Sequence, residues 1–235
     1  MADISRTSFF NLTASPPELG LVLMFDLDGF SKFFSQPDVH LYVPKYINRI
    51  FEAMSIVIYG GVSYWKDNEK LHPFIEPAQW KYMGDGALYI WTLKDIEQSN
   101  KDILFFINKL WNIKNYFHNI IQRCSEDVPV VDFPKRIRFG LAAGSIYKLT
   151  YTQSSAVEYI GYCINLASRL QSYCRELGFI ASARLGLPKG ELARHGYMKV
   201  VAKKLRGFPK EIVIVDEKEF ADLDQSTRND LFEEL

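Results

Sequence analysis

Five apolar residues in a row, Leu21-Val22-Leu23-Met24-Phe25, run straight into Asp26-Leu27-Asp28-Gly29. The run has no polar break, so residues 19–27 read as a buried strand that ends at Gly29. A charge beside such a strand is costly unless it binds something. A second acidic turn has the same form. Lys81-Tyr82-Met83-Gly84-Asp85-Gly86 leads into an apolar strand over 87–92. Each Asp borders an apolar run and is pressed against Gly, so each can face a ligand at the end of a sheet. Either turn alone is also explained as an ordinary hairpin, because Asp-Gly is a common turn dipeptide. Together, Asp26 and Asp85 offer the hard oxygen ligands that Mg²⁺ or Mn²⁺ takes beside a polyphosphate. Asp28 is a third candidate. Strand alternation puts it on the face of Asp26, and the turn at Gly29 can redirect it.

The rest of the chain punctuates into alternating elements. A short helical turn is expected through Phe33-Phe34. Pro44 opens a helix with Ile47, Ile50, Phe51, Met54, Val57 and Ile58 at helical spacing, and Gly60-Gly61 stops it. Strands are expected at 62–65 and 79–83. The loop between them, 66–78, holds Pro73, Pro77 and several charges and reads as an exposed insertion. One long helix over 94–124 aligns Ile103, Phe106, Ile107, Leu110, Ile113, Phe117 and Ile120, and a loop follows over 125–134. A strand over 136–147 alternates through Ile137-Arg138-Phe139-Gly140-Leu141. A helix over 161–177 stops at Gly178. A short strand at 179–181 and a hairpin of 198–204 with 211–215 close the order. This mixture predicts an α+β fold, a mixed and mainly antiparallel sheet with helices on one face. The expected organisation is an N-terminal extension (1–18), one domain (19–216) and an acidic, marginal C-terminal tail (217–235).

Composition narrows the partners. The 235 residues carry a formal net charge of zero, so nothing suggests a sequence-independent nucleic-acid binder, which would need a basic excess. Cys124, Cys163 and Cys174 are odd in number and lack a CxxC spacing, which fits free thiols in a reducing compartment. The first twenty residues lack a signal-peptide pattern, and every long apolar run is interrupted by polar residues. The expectation is a cytoplasmic protein with no membrane partner.

Asn165 and Arg169 stand four apart on the helix after Gly161 and share a face, beside an apolar face of Ile164, Ala167, Leu170 and Cys174. A solvated helix side explains an isolated pair of this kind. The sharper reading is that Asn165 orients a ribose and Arg169 stabilises charge on an α-phosphate. Lys81, four residues before Asp85, reads either as a surface side chain or as a donor to a base. As a donor it suits a ring nitrogen of adenine or a carbonyl of uracil equally.

In this order, the motifs resemble those of the class III adenylate/guanylate cyclases. Phe25 to Phe30 resembles the first metal motif and Lys81 to Gly86 the second. Phe139-Gly140-Leu141-Ala142-Ala143-Gly144 resembles the strand before the nucleotide pocket, Gly161 to Arg169 the helix with the transition-state Asn and Arg, and Arg206-Gly207 the basic turn before the last strand. The likeness covers about residues 20–215. It implies a ferredoxin-like catalytic core and two Mn²⁺ or Mg²⁺ ions per site on Asp26, Asp85 and the Leu27 carbonyl. It also implies a substrate pocket that includes Phe30, Lys81 and Arg206, and a homodimer with shared sites. In that dimer Asp26 and Asp85 come from one chain, and Lys81, Asn165 and Arg169 from the other. Glu158 stands where many adenylate cyclases have Asp, Thr or Ser, and Lys81 stands where guanylate cyclases have Glu. A short cyclase with a long loop before this KxxGDG sequence looks like the pyrimidine cyclases of the bacterial Pycsar antiphage system. That likeness implies conversion of UTP to 3′,5′-cyclic UMP and diphosphate, a downstream effector that responds to the product, and Tyr46 and Glu158 as base-pocket candidates. A core Tyr with its hydroxyl at the rim is the plainer reading of Tyr46. ATP and CTP are the alternative substrates, and an inactive nucleotide-binding or dimerisation module is the alternative of a different class.

Overall fold

The computed structural model of the chain describes residues 12–55, 76–92, 100–151 and 154–235. In chain order these form β1 (Leu12–Ala14), β2 (Glu18–Asp28), α1 (Phe30–Phe34), α2 (Val43–Ser55), β3 (Gln79–Tyr82) and β4 (Gly86–Thr92). There follow α3 (Asn100–Asn115), α4 (Phe117–Asp127), β5 (Arg136–Tyr151), β6 (Ser154–Gly161), α5 (Tyr162–Tyr173) and β7 (Phe179–Ser182). The chain ends with α6 (Lys189–Arg194), β8 (Tyr197–Ala202), β9 (Glu211–Asp216), α7 (Glu217–Asp222), α8 (Gln225–Leu231) and β10 (Phe232–Glu234). The expected strand at 62–65, the end of the helix at 57–61, most of the 66–78 loop and the start of the 94–124 helix lie outside the described residues.

The described strands form one mixed sheet in the order β10-β8-β9-β7-β5-β2-β4-β3. Among the described pairings only β5 with β7 is parallel, and the crossover between them carries α5. The fold class is therefore the expected α+β. β2 lies between β5 and β4, which explains its unbroken apolar run: both faces of the strand are covered. Leu21, Leu23, Phe25 and Leu27 face a core filled from α2, α3 and α4. Val22 and Met24 face a second core filled by Leu166 and Leu170 of α5 and Phe220 of α7. Helices on one face was thus too simple; they cover both.

Four further expectations change. The long helix breaks at Tyr116 into α3 and α4. There the Asn119 amide bonds to the Tyr116 carbonyl, and His118 Nδ1 sits 3.2 Å from the Asn115 carbonyl, so the regular i→i+4 ladder is interrupted. The loop expected from 125 begins only after Asp127, because the helix runs on to there. The helix expected over 161–177 spans only α5, and the stretch before it is β6, paired with the far half of β5. The segment after Asp216 is ordered: Phe220, Leu223 and Phe232 are buried in the second core, and β10 pairs with β8.

Gly140 of β5 fixes where α5 rests. A Cβ at this position would lie 2.1 Å from the Ala167 carbonyl oxygen and 2.6 Å from the Gln171 amide nitrogen. The helix backbone cannot yield without leaving the sheet. Gly140→Ala is expected to cost about 3 kcal/mol or more, a fall in melting temperature of roughly 6–12 °C. A thermal melt unchanged by the substitution would overturn this packing account.

Candidate active site

The end of β2 and the β3–β4 turn bring two carboxyl groups together. Asp26 pairs with Gly86 in the β2–β4 ladder, and the Leu27 amide donates to the Asp85 carbonyl at 3.2 Å. The Met83 amide donates to the Gly86 carbonyl at 2.9 Å and closes the turn. Gly86 is required at this approach, because a Cβ there would lie 1.9 Å from the Phe25 carbonyl oxygen. The Asp85 and Asp26 carboxyl groups come within hydrogen-bonding reach. Partial burial pushes the Asp85 carboxyl up from the usual carboxylate range; the Asp26 charge and hydrogen bond add to this, and the Arg138 charge opposes it.

Arg138 is the site residue that sequence reasoning missed. It sits directly opposite Asp26 on β5, and its Nη2 donates to Asp26 Oδ2 at 2.5 Å. The side chain is only 12% exposed, and its Nε has no partner among the described residues. The only signal in the sequence was an Arg in an apolar strand; its facing partner depends on register. Asp28 lies two residues further along β2, opposite Arg136, with its carbonyl taken by the Lys135 amide. Leu27 lies between the two acids with its side chain in the core. Phe30 opens α1 and packs on Phe33 and Phe34 at centroid distances of 5.6 and 6.0 Å.

Asn165 and Arg169 project from α5 away from the buried Cys163, Leu166, Ala167 and Leu170; Asn165 is exposed and Arg169 partly so. Among the described residues neither is ion-paired or hydrogen-bonded through its side chain. Lys81 is paired with Glu158, Nζ to Oε2 at 2.8 Å. This joins edge strand β3 to β6, and Gln79 Nε2 reinforces the junction by donating to the Val157 carbonyl at 2.7 Å. Both ends of the ion pair are about 40% exposed, so little stability is expected from it. Arg206 lies exposed at the tip of the β8–β9 turn, where the Phe208 amide donates to the Leu205 carbonyl.

Tyr46 leaves the base pocket. It is fully buried in the first core, its ring 4.5 Å from Phe33 and 5.7 Å from Phe133, and it presents no surface to a ligand. Burial also pushes its hydroxyl far above the usual tyrosine range. The remaining candidates form separate groups: Asp26, Asp85 and Arg138; Lys81 and Glu158; Asn165 and Arg169; and Arg206. No hydrogen bond or ion pair among the described residues joins one group to another.

The donor set fits a hard divalent cation. Among the described residues no three His, Cys, Asp or Glu cluster, and Asp26 and Asp85 are the carboxyl groups that meet at this turn. An ion with oxygen preference completes its shell from water, backbone carbonyls and phosphates. No helix among the described residues is long and apolar enough to cross a membrane.

No protein-family model matches the sequence, and no curated protein matches it. Solved structures do. The adenylyl cyclase CyaB from P. aeruginosa aligns over 86% of this chain and 95% of its own, at 19% identity and a TM-score of 0.60. The guanylyl cyclase Cya2 aligns over 87% and 93%, at 18% identity and 0.59. A bacterial light-regulated adenylyl cyclase aligns over 86% of this chain and 53% of its own, at 13% identity and 0.58. At these identities the likeness is one of fold, and the chain has the α+β fold of class III adenylyl and guanylyl cyclase catalytic domains.

Proposed function

We propose that this protein is a nucleotidyl cyclase, with UTP as the favoured substrate and 3′,5′-cyclic UMP and diphosphate as products. The observation that carries the reading is the Asp26–Asp85 carboxyl pair beside Arg138, at the end of an interior strand of a cyclase-type sheet. The ribose 3′-oxygen attacks the α-phosphorus, the new P–O bond forms, and the α–β bond breaks to release diphosphate. Asp26, Asp85 and the Leu27 carbonyl would hold two divalent ions. Bound there, Mg²⁺ or Mn²⁺ neutralises the triphosphate and polarises the reacting oxygens. Asp26 Oδ2 accepts from Arg138, which leaves Oδ1 for a cation, and the remaining N–H donors of Arg138 would serve a phosphate oxygen. Asn165 orients the ribose, and Arg169 stabilises charge gathering on the α-phosphate. Arg206 reaches the nucleotide from its exposed turn, and Phe30 walls the pocket at the start of α1.

Base choice rests on Lys81 and Glu158. The ammonium donates and the carboxylate accepts, which suits O4 and N3–H of uracil. Glu reaches one methylene further than Asp, as a single-ring base requires. The sequence resemblance supports the same choice and extends it to antiphage signalling through an effector of the product. ATP is the alternative, because N1 and the exocyclic amine of adenine offer the same acceptor–donor pair.

Purified protein with Mn²⁺ and each of the four labelled triphosphates tests both levels. Cyclic UMP as the dominant product is expected. Cyclic AMP alone would refute the pyrimidine reading, and no cyclic product from any triphosphate would refute the enzyme.

A further inference from the structure

A cleft of about 560 Å³ opens at the far end of β2 from the acidic pair. Its floor is apolar, made by Leu21, Ile103, Ala143 and Leu185. Leu19 and Ser145 face each other across the β2–β5 ladder at its mouth. From Leu19 to Asp26 is seven residues, about 23 Å along a strand, so the cleft is separate from the carboxyl groups. The volume lies within the range for small-molecule pockets.

One wall is polar and tightly organised. Arg184 grips the buried Glu211 with two bonds, Nε to Oε1 at 2.7 Å and Nη2 to Oε2 at 3.0 Å. Ser182 donates to the same carboxylate at 3.1 Å. Arg184 Nη2 also donates to the Tyr162 hydroxyl at 3.0 Å, and the guanidinium lies 4.9 Å from the Tyr162 ring centre. Two consequences follow. The charge of Arg184 is already neutralised, so the cleft does not call for an anion. Nη1 has no partner among the described residues, so the wall still offers N–H donors beside an apolar floor.

Tyr162 is the first residue of α5, and its N-cap, Gly161, makes no side-chain capping bond. The start of this helix is instead tied down through the Tyr162 side chain, which packs edge-on against Phe208 and reaches Arg184. Asn165 and Arg169 lie three and seven residues further along. A molecule that fills the cleft therefore touches the anchor of α5.

We propose that this cleft binds a small, uncharged, largely apolar molecule that ends in a carbonyl or similar acceptor, and that binding stiffens the start of α5. The ligand buries its apolar body on Leu19, Ala143 and Leu185 and accepts from Arg184. Its effect on turnover rests on the cyclase reading; the binding does not.

The probe is prodan, a neutral naphthalene that carries a carbonyl and emits at shorter wavelength in apolar surroundings. Titration into the full chain is expected to show saturable, blue-shifted emission with one molecule per chain. Ser145→Phe, which plugs the mouth from an exposed position, is expected to weaken binding about tenfold or more, the effect of losing ~1.4 kcal/mol. Arg184→Gln, which removes the donor fork and leaves an amide, should weaken it similarly. The sulfonated probe anilinonaphthalene sulfonate should bind more weakly than prodan. Hydrogen exchange at the amides of 165–169, the first to be bonded within α5, should slow when prodan is bound. Absence of saturable prodan binding, or binding indifferent to both variants, overturns the site. A preference for the sulfonate overturns the uncharged ligand, and unchanged exchange in α5 overturns the coupling. None of these readouts uses cyclase activity, so failure of the cleft and failure of the enzyme reading are told apart.

Discussion

Asp85→Asn is expected to lower turnover by on the order of 10²–10³-fold, the loss typical of removing one preorganised charge-stabilising group. The same substitution is expected to raise the melting temperature of the metal-free protein at neutral pH. The two effects have one origin. Partial burial and the Asp26 charge raise the Asp85 carboxyl above its ordinary value of 3.8. A carboxyl raised in the folded state favours folding in its protonated form. The penalty is absent below the ordinary value, grows as pH climbs through it, and is complete above the raised value. Asparagine carries no such charge, so the variant's advantage in melting temperature should vanish in acid and be full at neutral pH. Added Mn²⁺ should stabilise the wild type more than the variant, since only the wild type has both carboxylates. Asp26→Ala is a different case. It also removes activity, but it strips Arg138 of its partner and leaves a nearly buried guanidinium, so its melting temperature should fall. Near-normal turnover of Asp85→Asn at saturating Mn²⁺ would refute the metal assignment, and a lower melting temperature for it at neutral pH would refute the repulsion.

The parts of this site that could be read from the sequence are those whose geometry is local. Asp26 and Asp85 each sit at a strand end beside glycine, and both facts are visible in a window of six residues. Asn165 and Arg169 share a helix face because of their spacing alone. Arg138 could not be found that way. Nothing in Ile137-Arg138-Phe139 says that β5 pairs with β2 in the register that sets Arg138 opposite Asp26. The same holds for β6: Ser154 to Gly161 has weak alternation, and its pairing with the far half of β5 is what makes it a strand. Tyr46 failed for the converse reason. Its helix was correctly read as apolar, but Phe133, 87 residues further on, closes over the ring and removes the rim. The unbroken run from Leu21 to Phe25 already implied burial on both faces, and placing all helices on one face underused it.

Mixing two inactive variants, Asp85→Asn and Arg169→Ala, is expected to restore roughly a quarter of wild-type activity. The figure follows from two-fold symmetry: about half of randomly exchanged dimers are mixed, and one of the two composite sites in each contains only intact residues. Asp85→Asn is preferred to Asp26→Ala because it leaves the Arg138 pair in place. The structure makes the test a sharp one. Alternation along β2 puts Asp26 on the sheet face of Val22 and Met24, the face that α5 covers. Lys81 is opposite Leu88, which belongs to the same core, so it lies on that face as well. The acidic pair, the Lys81–Glu158 ion pair and α5 thus share one side of one sheet, yet no hydrogen bond or ion pair among the described residues links them. A nucleotide can join them in two ways. It can lie within one chain, or it can lie between the acidic pair of one chain and the α5 face of its partner. If each chain carries a complete site, Asp85→Asn and Arg169→Ala each destroy every site in which they occur, and mixing restores nothing. Persistent inactivity after subunit exchange has been demonstrated would therefore place the whole site in one chain, with Lys81, Glu158, Asn165 and Arg169 closing over their own Asp26 and Asp85.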